Sequence, residues 1–225
     1  MVMQLTDEDR AKISAAIATA EAKTSGEIVA VTTPISDPYH DVALHWALIP
    51  LFAVLAWAAW SPTALIWWYD FLFGGWSPDP TQSQLLTLLM FFAALKFTIA
   101  LLILKWMPLR LLLTPPATKH RRVRRRAIAI FQAAAAGRTS GKTGILIYLS
   151  LAERRAEIVA DGAIHKLTDE HTWGEAMHAL IADVREGRPG DGIVAAIERV
   201  GTVLAEHFPR SADDSNEIPD KLIEL

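Results

Sequence analysis

Five groups of residues have types and spacings that could do chemistry. Residues 136–143, AGRTSGKT, satisfy a relaxed phosphate-loop pattern with Ala136 in place of the first glycine. Such a loop aims the N–H groups of a following helix at phosphate oxygens, so it needs a strand before it and a helix after. Here a helical pattern precedes and a strand pattern follows, and nucleotide binding is not expected. His171, Glu175 and His178 recur at helical spacing and could meet one metal ion. They lie opposite a stripe of Trp173, Met177, Leu180 and Val184, which makes a solvated polar face the better reading. Asp161 ends an apolar strand pattern, where ligand sites of α/β sheets gather. It is a weak metal candidate, set against the plainer reading of a turn residue before Gly162. Lys96 stands alone in an apolar run, and Lys119, His120, Arg121, Arg122, Arg124, Arg125 and Arg126 form one dense basic run.

Other chemistry is absent from the pattern. There is no Ser-His-Asp set, HExxH pair or glycine-rich dinucleotide loop, and no catalytic residue is assigned. The chain has no cysteine, which excludes disulfides, thiolate nucleophiles and Cys-ligated metal centres. A net charge of −3 argues against an overall basic nucleic-acid binder.

Composition divides the elements that must position these groups. Hydrophobic residues make up 52% of the 225 and mean hydropathy is positive, which is high for a soluble protein. Seven of the eight tryptophans lie between Trp46 and Trp106. Residues 42–60 contain no Asp, Glu, Lys or Arg, and residues 85–106 only Lys96 and Lys105. About 20 apolar residues at a 1.5 Å rise cross roughly 30 Å of hydrocarbon, so each stretch is expected to span a membrane despite His45 and Pro50. Trp46, Trp57, Trp60, Trp76 and Trp106 fall near the span ends, as interfacial aromatics do.

Charge sets the expected orientation. The loop 61–84 has Asp70 and Asp79 but no Lys or Arg, whereas Arg110 and the basic run follow the second span. The loop then faces out and both flanks lie in the cytoplasm, in the plasma (inner) membrane of a bacterial type. Residues 65–73, aromatic-rich and too short to cross, are expected to lie in the interface or to re-enter shallowly. Asp7, Glu8 and Asp9 stand where a secretory signal needs positive charge, so no cleaved signal is expected. Arg121, Arg122, Arg124, Arg125 and Arg126 are expected to meet anionic lipid, at about 1 kcal/mol each, rather than nucleic acid. Lys96 lies nine residues, about 13 Å, from Lys105, too deep to snorkel completely. Two readings stay open: partial snorkelling with local thinning or neutralisation, or contact with a membrane partner protein or lipid headgroup.

The flanks read as ordinary globular protein. Thr6 and Asp9 form a capping-box-like start to a helix with Ile13 and Ile17 on one face, stopped by Thr24, Ser25 and Gly26. Residues 27–33 read as a strand whose unbroken apolar centre suits cover on both faces. A helix over 117–136 and strands over 144–151 and 155–160 follow, the short link between the strands favouring an antiparallel hairpin. Two helices end the pattern, one capped by Thr168 or Asp169 and one with a stripe of Ile193, Ile197, Val200, Leu204 and Phe208. A right-handed crossover makes the first two strands parallel. The expected fold is a small mixed-sheet α/β/α sandwich built from 1–36 and 114–208, with 37–113 inserted as a transmembrane hairpin. Residues 209–225 are expected to be a flexible acidic tail.

The runs TSGEIVAV at 24–31, TGILIYLSL at 143–151 with RRAEIVA at 154–160, and REGRPGDGI at 185–193 resemble the TPM domain family, the thylakoid-lumen phosphatase-like domains. The resemblance covers 5–33 and 118–208. It implies an α/β/α sandwich and roles in the maintenance or assembly of membrane complexes, with phosphatase activity and calcium binding proposed for some members. The sequence departs from it in having Asp161, Gly162 and Ala163 where many relatives carry a Gly-aromatic-Gly turn. The expected cytoplasmic placement also differs from the extracytoplasmic one common among relatives, so catalysis is not carried over. The expectation is a membrane-anchored interaction module that assists a membrane protein complex, with a divalent-metal-assisted phosphatase-type hydrolase at the strand-end cleft as the alternative.

Overall fold

The computed structural model describes residues 5–74, 79–134, 143–167, 170–211 and 216–225. In chain order its elements are α1 (Asp7–Glu21), β1 (Glu27–Thr33), α2 (His40–Trp60), α3 (Pro62–Phe73), α4 (Gln82–Ile103), α5 (Met107–Leu113), α6 (Pro116–Ala134), β2 (Gly144–Ser150), β3 (Arg155–Ala160), α7 (Gly162–Leu167), α8 (Glu170–Arg185), α9 (Pro189–His207) and β4 (Ile223–Glu224). They gather into two units, residues 1–37 with 116–225, and residues 38–115.

The first unit is built on a four-stranded mixed sheet in the order β3-β2-β1-β4. β1 runs parallel to β2, Glu27 facing Gly144 and Thr33 facing Ser150, and β2 pairs with β3 antiparallel. Every residue of β1 and β2 is buried, because side chains alternate between two covered faces. Ile28, Ala30, Ile145, Ile147 and Leu149 point to the side filled by Ile13 and Ile17 of α1, Leu180 and Val184 of α8, and Ile193 and Ile197 of α9. Val29, Val31, Leu146 and Tyr148 point the other way, onto Val123, Ala127 and Phe131 of α6. The result is an α/β/α sandwich.

Local chemistry fixes the element ends. The Thr6 hydroxyl accepts the Asp9 N–H at 3.1 Å while the Asp9 carboxylate accepts the Thr6 N–H at 2.9 Å, a capping box typically worth about 1 kcal/mol. The β2–β3 link turns at Arg154, whose φ of 49° lies in the left-handed region. α1 and α9 approach closely because Gly201 lacks a side chain: a Cβ there would sit 2.6 Å from that of Ala20.

In this unit two elements depart from the sequence expectation. A short helix, α7, follows Asp161 directly. The stretch expected to be a flexible tail instead returns to the sheet as β4, with Ile223 opposite Val31 and Glu224 opposite Thr32. The acidic composition of that stretch hides three apolar anchors. Ile218 and Ile223 pack on the α6 side of the sheet and Leu222 on the opposite side.

The second unit pairs α2 with α4 and lays α3 against α4 through Leu65, Tyr69 and Leu88, with Trp68 edge-on to Phe92 at 5.6 Å. Thr81 and Gln84 start α4 with their own capping box. α2 and α4 are long and apolar enough to cross a membrane, and only 22% and 11% of their most apolar windows are buried. Ile49, Phe52, Met90, Phe91 and Leu102 are instead exposed, unlike the apolar faces of core helices. α4 ends at Ile103, so Lys105 and Trp106 lie in the turn before α5 rather than in the span expected over 85–106. Trp76 lies outside the described residues.

Candidate functional site

α6 carries the most concentrated charge of the chain. Its buried stripe, Val123, Ala127 and Phe131, recurs at four-residue spacing, which turns the intervening arginines outward. Arg121, Arg124, Arg125 and Arg126 are exposed. Arg122 is not: it is half-buried and donates to the Asp37 carboxylate at 2.8 Å, with Arg125 3.8 Å from the other oxygen. Of the five arginines expected at the lipid surface, Arg122 therefore serves an ion pair within the fold. His120 meets Glu157 at 3.1 Å. Burial raises the Glu157 carboxyl above the usual range, opposed by His120, Arg124 and Arg155. Lys119 is lowered by burial and by Arg155.

A polar junction organises the point where the chain leaves this unit after β1. The Glu153 carboxylate accepts the Ser36 N–H at 3.0 and 3.2 Å and also takes the Ser150 hydroxyl. The Ser36 hydroxyl lies 2.9 Å from the Tyr148 hydroxyl, and burial raises Tyr148 above its ordinary value. Together with Asp37–Arg122, these contacts bind the end of β1 to β2, its turn and α6. The departure point of the inserted unit is thus held by side chains from three elements.

The opposite end of β1 holds a small acidic cavity of about 150 Å³ lined by Glu21, Thr24, Glu27, Arg210, Asn216 and Asp220. One Glu21 oxygen accepts the Ile28 N–H at 2.7 Å, while the other is buried with no hydrogen-bond partner among the described residues. Burial pushes the Glu21 carboxyl up to about 8, the Ile28 N–H opposing and the charges of Glu27 and Asp220 adding to it. Glu27 accepts the N–H groups of Glu217 and Ile218 at 3.2 Å each and so fastens the C-terminal segment. Pattern reading missed Glu21 and Glu27, because a glutamate at a helix end or strand start reads as solvated until the fold buries it.

The sequence candidates are not brought together. Asp161 closes the open end of the β2–β3 hairpin: its N–H donates to the Gly144 carbonyl at 2.9 Å and its carboxylate accepts the Gly144 N–H at 3.3 Å. That is strand-end work. Glu175 is exposed and pairs with Arg199 at 3.2 Å, beside an exposed His178; the His171 side chain lies outside the described residues. Among the described residues, no three His, Asp or Glu side chains are grouped to hold a metal ion. Residues 136–142 of the phosphate-loop-like run are also outside them, while Thr143 donates its hydroxyl to the Ser25 carbonyl at 2.9 Å.

In the second unit Lys96 is exposed on α4. Arg110, which the sequence offered only as a topology charge, is buried. Its guanidinium donates to the Leu104 carbonyl at 2.8 and 2.6 Å, capping the end of α4, and to the Pro38 carbonyl at 2.6 Å.

Comparison with known proteins agrees with this architecture. The family model of the TPM domain matches residues 109–203. A solved structure, the BA42 protein from the psychrophilic bacterium Bizionia argentinensis determined by NMR, aligns with 98% of this chain and 95% of its own at a TM-score of 0.56 and 18% identity, a likeness of fold. No protein of curated function matches. Over residues 109–203 the chain is thus similar to the TPM domain family.

Proposed function

We propose that the chain is a membrane-anchored TPM-type interaction module that assists the assembly, stability or maintenance of a membrane protein complex. The observation that carries the reading is the exposed apolar surface of α2 and α4, inserted between β1 and α6 of one sandwich. Because β1 and β2 pair residue for residue, the segments that enter and leave the insertion belong to one folded body. Two spans return the chain to the side it left, and the positive-inside rule assigns that side to the cytoplasm. Arg121, Arg124, Arg125 and Arg126 then face anionic inner-leaflet lipid at about 1 kcal/mol each. Lys96 is the contact offered to a membrane partner. The alternative, divalent-metal-assisted hydrolysis at Asp161, gains no support from a carboxylate engaged with Gly144.

Purification of the full chain in mild detergent tests the reading. An interaction module elutes with a membrane protein at fixed stoichiometry and leaves phosphomonoesters intact with or without divalent ions. A chain that elutes alone and hydrolyses them, with activity lost in Asp161→Asn, contradicts it.

A further inference from the structure

The face of α4 that α3 covers continues beyond the cover. Leu85, Leu88, Leu89 and Phe92 recur at helical spacing and pack with Leu65, Trp68 and Tyr69. The same spacing runs on through Lys96, Ile99 and Ile103, and there the face is open. Lys96 is exposed, Ile99 is 42% exposed and Ile103 54%. The first half of a helix-packing face is thus occupied and the second half is not, with one ammonium where the cover ends. Lys96 lies seven residues, about 10 Å, before the end of α4 and 14 residues, about 21 Å, after its start.

We propose that this open half-face seats a transmembrane helix of a different protein, one that carries a carboxylate at the depth of Lys96. The inference rests on the membrane reading of α2 and α4. An ammonium in hydrocarbon needs a counter-charge or water, and a single polar residue in an apolar seam fixes both partner and register. Ile99 and Ile103 supply the apolar ridges on which such a helix packs. The two spans of a second copy do not supply the counter-charge. Within the spans α4 has no acidic residue, and α2 has only Asp41 in its first turn.

The test uses the full chain in phosphatidylcholine vesicles, labelled at a cysteine introduced by Asp79→Cys. The probe is a fluorescent Leu/Ala-rich transmembrane peptide with one central Glu, and the control has Leu there. Energy transfer should show the Glu peptide associating about tenfold more tightly than the Leu peptide. Lys96→Leu should erase the preference and Lys96→Arg keep it. Lys96→Glu should transfer it to a central-Lys peptide. Ile99→Trp, on the open face, should weaken association, whereas Leu86→Trp, away from that face, should not. Equal association of the two peptides, or a preference that survives Lys96→Leu, overturns the inference. So does loss of the preference in phosphatidylglycerol vesicles, which would assign Lys96 to lipid phosphate. An alkaline wash of each sample separates the two failures. A chain stripped from the vesicles defeats the membrane reading, and a chain that stays without peptide preference defeats this inference alone.

Discussion

The Arg110 guanidinium donates to the Pro38 carbonyl at 2.6 Å, across 72 residues of chain. The same group holds the Leu104 carbonyl at the end of α4 and approaches the His40 ring at 3.4 Å. One buried fork on α5 therefore joins Pro38, which opens the apolar unit, to the end of α4. Its planar geometry suits two carbonyls at once, which an ammonium does not reproduce.

Arg110→Ala should destabilise the apolar unit by about 2–3 kcal/mol, since hydrogen bonds from a charged donor are lost and two carbonyls are left unmet. Arg110→Lys should keep the orientation of the chain but recover only part of the stability. Unfolding of the full chain in detergent titrated with SDS measures both. Identical midpoints for all three proteins would show that the fork carries no load.

Glu21 makes stability depend on pH in a defined direction. The unfolded chain ionises this carboxyl near the usual 4.5, and the fold holds its proton up to about 8. The native state therefore binds the more protons between those values. The contribution of Glu21 is complete below about 4.5 and is lost as pH rises through about 8. Glu21→Gln keeps the acceptor for the Ile28 N–H and cannot ionise. It should match the native protein near pH 5 and exceed it near pH 9 by on the order of 2–4 kcal/mol. Thermal unfolding of both proteins at the two pH values is the measurement, and parallel profiles would refute the assignment.

Ile218 anchors the returning C-terminal segment. Ile218→Ala should cost about 2–3 kcal/mol, within the usual span for truncating a buried isoleucine. It should also release the Leu225 N–H, which donates to the Thr32 carbonyl at 3.0 Å. Hydrogen exchange at Leu225 reads that release directly. Unchanged protection would mean that β4 holds without its anchor.

These anchors mark where sequence reading stopped. The runs 28–31 and 145–149 are apolar without a break, so strands covered on both faces were legible, as were the helical stripes through Ile13 and Ile17 and through Ile193, Ile197 and Val200. The apolar lengths around Pro50 and Lys96 revealed two helices able to cross a membrane. β4 was not legible because two residues carry no periodicity, and the neighbour they pair with decides their state. Arg110 and Arg122 counted as surface charge because nothing local shows that Pro38, Leu104 and Asp37 arrive beside them. Glu21 needed the tail to fold back before its carboxyl became buried. Asp161 was rightly placed at a strand end, but only the register of β2 and β3 showed its carboxylate bound to Gly144.

A sandwich whose strands flank the insertion carries two helices long and apolar enough to cross a membrane. The sequence has no cysteine, so single cysteines report position without background. A membrane-impermeant maleimide should label Asp79→Cys in intact cells and should reach Lys12→Cys and Lys221→Cys only after the membrane is opened. Labelling of Lys12→Cys and Lys221→Cys from opposite faces, or of all three from one face, would contradict the account.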